Sequence, residues 1–334
     1  MRINIKGAER EAEIYSRYFN TERKISFNGN GRRNFLSEVI EKIRDIYLKL
    51  GFNEVYLPLF IDESDVYRQF GYEAPVILDR VYYLASLPKP DIGLSKKKIE
   101  EIRGLGIDVN VNILKEVLRR YKKGEIDSDD LIEEIASSLS IDEDKAFLMV
   151  EKVFPEFKRL KAIPSKKTLR SHMTGSWFIL LSDLIRSLRL PIKLFSVDRV
   201  FRHEQREDEK HLRSHHSASC VWVEDYISVS HGKRLSEKIF KELGFENIDI
   251  RKKEVSSNYY AKDTEYEVFI DNGEEYIEVA DFGIYSPVSL AKYGIEVPTM
   301  NLGIGVERVA MALAKEKDIR KILNPYFNIK PSFS

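Results

Sequence analysis

Residues 195–223 read FSVDRVFRHEQREDEKHLRSHHSASCVWV. Apolar, strand-forming ends at 195–201 and 220–223 enclose a middle rich in charge and histidine. That is the pattern of two strands joined by a long polar loop. Arg202 and Glu204 stand where the first strand meets the loop, and the period-two alternation of a strand puts them on one face. An ion pair is weak evidence for stability. An Arg held beside a carboxylate is well suited to gripping a phosphate while the acid reads a polar base edge.

Toward the C-terminus, 232–243 reads as a helix stopped by Gly244, and 247–255 as a short strand. Residues 266–270 and 275–279 alternate like paired strands across Asp271-Asn272-Gly273, a hairpin signal. Then comes MNLGIGVERVAMALA at 300–314: a short strand, two glycines and an amphipathic helix with Arg308 on its first turn. The glycines suit a tight turn, and a helix N-terminus suits an anion.

Toward the N-terminus, 162–181 reads AIPSKKTLRSHMTGSWFILL. Arg170, Ser171, His172, Thr174 and Ser176 open onto an apolar run from Trp177. Hydroxyls and an imidazole at a helix mouth make an anion seat, or simply an N-cap cluster. Residues 91–160 form a helical insertion, with amphipathic helices expected at 95–103, 112–123, 128–139 (capped by Ser128) and 142–153. Lys96, Lys97, Lys98, Arg119, Arg120, Lys122 and Lys123 could touch RNA or form a solvated face among interleaved acids. Leu36, Val39, Ile43, Ile46, Tyr47 and Leu50 recur at helical spacing before a Gly51 stop. Residues 52–59 then read as a strand whose Pro58 implies an edge or an interface. Before them lie a short helix at 9–19 and a turn or linker at 28–31.

The 334 residues carry 43% apolar side chains, enough for one large or two modest cores. Lys+Arg and Asp+Glu balance at 54 each, so only a local basic patch could bind nucleic acid. The single cysteine, Cys220, excludes an intrachain disulfide and suits a reducing cytoplasm. No apolar run is long enough to span a membrane. His211, His215 and His216 lie near Cys220 without zinc-ligand spacing, and a thiol at an apolar strand end reads as buried rather than nucleophilic.

Taken together, these segments resemble the class II aminoacyl-tRNA synthetases. Phe201, Arg202, Glu204 and His211 match motif 2 (fRxE, loop, (H/R)xxxF), and Gly303, Gly305, Glu307 and Arg308 match motif 3 (GxGxER). The helix and strand ending at Pro58 are similar to motif 1, the family's dimer interface. Within the class, SHMT at 171–174 and HSAS at 216–219 look like the substrate segments of the O-phosphoseryl-tRNA synthetases. The α subunit of phenylalanyl-tRNA synthetase is a more distant cousin.

The resemblance implies an α+β fold: an antiparallel sheet flanked by helices, with an N-terminal extension (1–33), a catalytic core (34–90 with 161–334) and the insertion at 91–160. It implies ATP-dependent activation of O-phosphoserine and its transfer to tRNA in an archaeal-type cytoplasmic enzyme. Arg202 would bind the α-phosphate, Arg308 the γ-phosphate, Glu204 the adenine amino group, and His211 would lie near the far phosphates. Glu267 and Glu278 would hold Mg²⁺. His172, Thr174, Ser217 and Ser219 would hold the substrate's phosphate, as an imidazolium and hydroxyls, with Asn301 on the substrate side. A dimer or tetramer is expected. His215 stands where the family places a ring stacked on adenine, and Thr174-Gly175-Ser176 where Thr-Ser-Gly is expected. The family's C-terminal anticodon-binding domain has no counterpart after the motif 3 helix. This leaves open acceptor-end charging of tRNA, a stand-alone paralogue that adenylates an anionic amino acid, or a non-catalytic sensor. Arg202, Glu204, Glu278 and Arg308 argue against the last.

Overall fold

A computed structural model of the chain describes residues 6–19, 31, 33–209 and 211–323. It divides into units 1–34 and 35–334. In the first unit the chain forms α1 (Ala12–Phe19), three residues shorter at its start than expected. The turn expected at 28–31 lies, apart from Gly31, outside the described residues.

The second unit opens with α2 (Phe35–Lys49), β1 (Asn53–Glu54), β2 (Phe60–Asp62), α3 (Glu63–Phe70), α4 (Ala74–Leu78) and β3 (Tyr83–Ser86). Four helices follow: α5 (Lys96–Gly104), α6 (Val111–Lys123), α7 (Leu131–Leu139) and α8 (Glu143–Val153). Next come β4 (Ile163–Leu169), α9 (Met173–Leu184), β5 (Ile192–Phe201), β6 (Ser214–Val223), α10 (Val229–Glu242), β7 (Ile248–Lys252), β8 (Tyr266–Asp271) and β9 (Tyr276–Ile284). The described part closes with α11 (Pro287–Lys292), β10 (Thr299–Gly305), α12 (Val306–Ala314) and α13 (Ile319–Ile322).

A seven-stranded sheet in the order β1-β5-β6-β10-β9-β8-β7 is the platform, antiparallel except for the β1–β5 pair. A second, three-stranded sheet runs β2-β4-β3. One face of the large sheet is closed by α2, α10 and α12. Helical periodicity gives α2 its buried stripe of Leu36, Val39, Ile43, Ile46 and Tyr47, and the Tyr47 ring stacks on Phe195 at 4.8 Å between centroids. Truncating one such side chain, Ile43→Ala for example, costs about 2–5 kcal/mol.

Three expectations change. The strand at 52–59 shrinks to two residues, paired with Leu194 and Phe195. Pro58 has no N–H for a ladder, and the buried Arg170 guanidinium draws the Leu57 and Pro58 carbonyls away, at 3.1 and 3.3 Å. Second, the polar stretch before Cys220 is strand rather than loop: β6 begins at Ser214. His215, Ser217 and Ser219 alternate with Ala218 and Cys220, which are fully buried in the core. Third, Ser128 does not cap α7; its hydroxyl meets Tyr121 Oη at 3.3 Å, and the helix starts after Asp130.

The helices α5–α8 bury a core of their own, with Ile102, Leu114, Ile135, Ala146, Met149 and Phe154 fully enclosed. Most of the basic side chains once open to RNA are engaged by acids: Lys98 by Glu156, Arg120 by Glu134, Lys122 by Asp91, and Arg119 by Glu116. This favours the solvated-face reading.

Candidate active site

The open face of the large sheet carries a cavity of about 240 Å³. Strand registers lay out its floor. Ser217 pairs with Gly305, and Ser219 with Gly303. Gly303 pairs in turn with Asp281, and Asp281 with Glu267, so one row crosses four strands. Neither Gly303 nor Gly305 has a positive φ. The tight turn expected of them is absent; they lie in β10, and what matters is the missing side chain. A Cβ on Gly303 would lie 3.3 Å from Asp281 Oδ1 and would fill the floor.

His172, the N-cap residue of α9, lines the inner end with Thr174, Ser217 and Ser219. His172 Nδ1 lies 3.0 Å from Ser171 Oγ. Burial, then Arg202, His215 and Arg80, press its pKa well below the usual range, so the imidazole is neutral rather than the expected imidazolium. Arg170 and Ser176 are not part of the anion seat: the Arg170 guanidinium bonds backbone carbonyls and pairs with Asp198 at 2.5 Å, and Ser176 Oγ donates to the Pro58 carbonyl at 2.8 Å.

Ser219 is held from two sides. The Trp177 indole N–H donates to its Oγ at 2.9 Å, and Asn301 Nδ2 donates to it at 3.0 Å. Asn301 lines the cavity, but its amide is engaged elsewhere as well: Nδ2 donates to the Cys220 carbonyl at 2.8 Å, and Oδ1 accepts from Tyr260 Oη at 2.9 Å. The Tyr260 ring crosses Gly283, where a Cβ would lie only 2.6 Å from Cδ1. Burial pushes the Cys220 thiol up to about 12, so it is no nucleophile at neutral pH.

The outer end carries the charges. Arg202 donates from Nε to the Ser171 carbonyl at 3.3 Å. Burial lowers its pKa, opposed by Glu204 and Asp281 and reinforced by Arg308. Arg308, on the first turn of α12, meets the Glu278 carbonyl at 3.1 Å and the Glu278 carboxylate at 3.4 Å. Glu204 and His211 also line this end, and His211 Nδ1 lies 2.7 Å from Asp208. His215 lines the cavity near both arginines; burial, then Arg202, Arg308 and His216, lower its pKa to about 3. The neighbouring His216 is held the other way: the buried Glu307 carboxylate accepts its backbone N–H at 2.9 Å and meets Nδ1 at 2.7 Å, docking α12 on β6.

Glu267 does not line the cavity; it sits one strand beyond Asp281, 3.8 Å from Lys253. The acid sharing the wall with Glu278 is Asp281, whose pKa is raised to about 6 by burial, against Lys253 and with Glu265 and Glu278. Tyr259, another wall residue, had no motif to mark it. Among the described residues no group of three or more His, Cys, Asp or Glu is arranged to hold a metal ion. One or two carboxylates at the outer end fit Mg²⁺, which completes its shell with phosphate oxygens and water.

The sequence and the fold have known counterparts. The family profile of the tRNA synthetases class II core domain (F) matches residues 89–333. The chain belongs to the class II aminoacyl-tRNA synthetases. Among curated proteins it is 49% identical over 302 residues to the O-phosphoserine--tRNA(Cys) ligase of Methanocaldococcus jannaschii, covering 89% of this chain and 56% of that one. The ligase of the same name from Methanococcus aeolicus is 46% identical over 331 residues, with 97% and 60% coverage. The chain thus spans little more than half the length of the curated relatives it matches. Its fold is similar to the crystal structure of pyrrolysyl-tRNA synthetase from Desulfitobacterium hafniense, with a TM-score of 0.54 at 16% identity over 95% of this chain and 81% of that one. No described helix is long and apolar enough to cross a membrane.

Proposed function

We propose that the chain activates O-phosphoserine with ATP and transfers it to tRNA. One observation carries the reading: a single cavity joins a phosphate-gripping end (Arg202, Glu204, Arg308) to a hydroxyl- and imidazole-lined end (His172, Thr174, Ser217, Ser219). A phenylalanine pocket would need apolar walls instead. The names of the curated relatives support the same substrate.

Activation is an in-line attack by the amino-acid carboxylate on the α-phosphate, so the protein's work is positioning and charge stabilisation. Arg202 lies between the two ends and is the residue suited to the α-phosphate. Arg308 suits the γ-phosphate, Glu204 the adenine amino group, and His211 the far phosphates. His215 offers an imidazole face to the base, and a neutral ring stacks there without charge. Mg²⁺, when bound, supplies charge neutralisation between phosphates; Glu278 with Asp281 is the better pair to hold it than Glu278 with Glu267. Exposed apolar side chains cluster at 56–87, among them Tyr56 (86% exposed), Tyr72 (84%) and Val76. They suit a homo-oligomer contact following motif 1. A buried, unpaired thiol fits the reducing cytoplasm.

The test is ATP–pyrophosphate exchange. O-phosphoserine should stimulate it strongly; exchange with another amino acid and none with O-phosphoserine would overturn the substrate. Charging of total tRNA with labelled O-phosphoserine tests the acceptor, and robust exchange without charging would move the chain to an adenylating paralogue.

A further inference from the structure

Ser219 has its two acceptor sites filled by protein donors. A hydroxyl offers one donor and two acceptor lone pairs. The indole N–H of Trp177 can only donate, and it reaches Ser219 Oγ at 2.9 Å. The second partner is the Asn301 amide, 3.0 Å away. Which amide atom faces Ser219 is fixed by chemistry. The same atom lies 2.8 Å from the Cys220 carbonyl oxygen, which only accepts, so it must be nitrogen. Tyr260 closes the chain by donating to the amide oxygen at 2.9 Å. Ser219, Trp177 and Asn301 are all buried.

With both lone pairs taken, the Ser219 proton has to be given away. Ser219 lines the cavity, so the cavity's contents receive it. Asp281 reaches over Gly303, the residue that separates it from Ser219, but no hydrogen bond joins its carboxylate to the Ser219 hydroxyl, whose partners are Trp177 and Asn301. The arginines at the outer end cannot accept.

We infer that Trp177 and Asn301 are positioning residues that make Ser219 an obligate hydrogen-bond donor, and so select a ligand group presenting only acceptor oxygens, a phosphoryl dianion, over isosteres that bring a donor. This rests on the activity proposed above. A hydroxyl with an open lone pair turns to suit either kind of ligand; one with both lone pairs filled rejects the second kind, because a buried donor would meet a donor.

The test is O-phosphoserine binding by calorimetry alongside KM values from exchange, in wild type, Trp177→Phe, Asn301→Asp and Ser219→Ala. Trp177→Phe keeps the ring and removes the N–H. Its affinity for O-phosphoserine should fall about tenfold, the scale of one hydrogen bond, with the ATP KM unchanged. Asn301→Asp offers Ser219 an acceptor, turns the proton away from the cavity and should weaken binding more than Ser219→Ala does. In a Ser219→Ala background Trp177→Phe should have no further effect, and the Asn301→Asp penalty should shrink. Additive losses in that background, or parallel changes in the ATP KM, would show that Trp177 acts by packing alone and overturn the inference. Unchanged affinity in Trp177→Phe beside normal wild-type binding would overturn it too. No binding or exchange by the wild-type protein would sink the parent reading instead, and the inference with it.

Discussion

The two ends of the cavity are built differently. At the inner end Ser219, Thr174 and Asn301 are buried, and the Ser219 hydroxyl and Asn301 amide are oriented by Trp177 and Tyr260, which do not line the cavity. At the outer end Arg308 and Glu278 are each 44% exposed and pair loosely with one another, and His211 is 53% exposed beside Asp208. Exposed pairs contribute little and exchange partners readily, whereas a buried polar network has one arrangement. The outer end is thus adaptable machinery for a polyphosphate. The inner end is a fixed template, and on the function proposed above the difference separates what class II chemistry needs from what one substrate needs.

Three variants would break or sharpen that contrast. The largest effect belongs to Arg202→Ala, since this guanidinium lies where the two ends meet: exchange should fall on the order of 10³-fold, as for the loss of a preorganised charge-stabilising donor, while the melting profile is retained. Near-normal exchange would remove Arg202 from the chemistry. A smaller effect is expected from Arg308→Lys, which loses the bidentate fork but not the charge. The ATP KM should rise about tenfold with the O-phosphoserine KM unmoved, and raising salt should weaken ATP binding more than O-phosphoserine binding. A rise confined to the O-phosphoserine KM would mean the ends had been assigned backwards.

The smallest effect concerns stability. The His215 pKa is lowered from its ordinary 6.5 to about 3, so the unfolded state takes up the proton first as pH falls. The stability its neutrality provides is complete above pH 6.5 and is lost as pH drops from there toward 3. The slope is at most about 1.4 kcal/mol per pH unit, less where the ring meets solvent. His215→Phe should flatten denaturant midpoints between pH 6.5 and 4 relative to wild type. Parallel curves would mean the ring protonates without strain.

Much of this was legible from local pattern. Helical spacing placed α2, α5, α6, α8 and α12 within a residue or two of their observed bounds, and the Asn272-Gly273 turn placed the β8–β9 hairpin. Motif order brought Arg202, Glu204, His215, Glu278 and Arg308 to one wall. The misreading of β6 has a simple cause: alternation can be followed only where both faces differ in polarity. In β6 the cavity-facing serines and histidines imitate a solvated loop. In β9 a bulge opposite Val268/Phe269 shifts the register, so Glu278 and Asp281, three positions apart, share the cavity wall. Parity alone would pair Glu278 with Ala280, and Glu267 looked the better partner. Trp177 was legible only as the start of an apolar helix; its bond to Ser219 joins residues 42 positions apart, and no local rule reaches that far.

Gly283 carries the longest consequence. It lies directly opposite Asn301 and does not line the cavity, yet the Tyr260 ring lies across it on the way to the Asn301 amide. One added methyl group there would lift the ring, release Tyr260 from Asn301 and loosen Ser219. A redesign or a mutational survey confined to the cavity's lining would therefore miss one of its controls. On the function proposed above, substrate preference can drift through a position off the cavity wall, and the blank space at Gly283 counts for recognition as much as any hydroxyl.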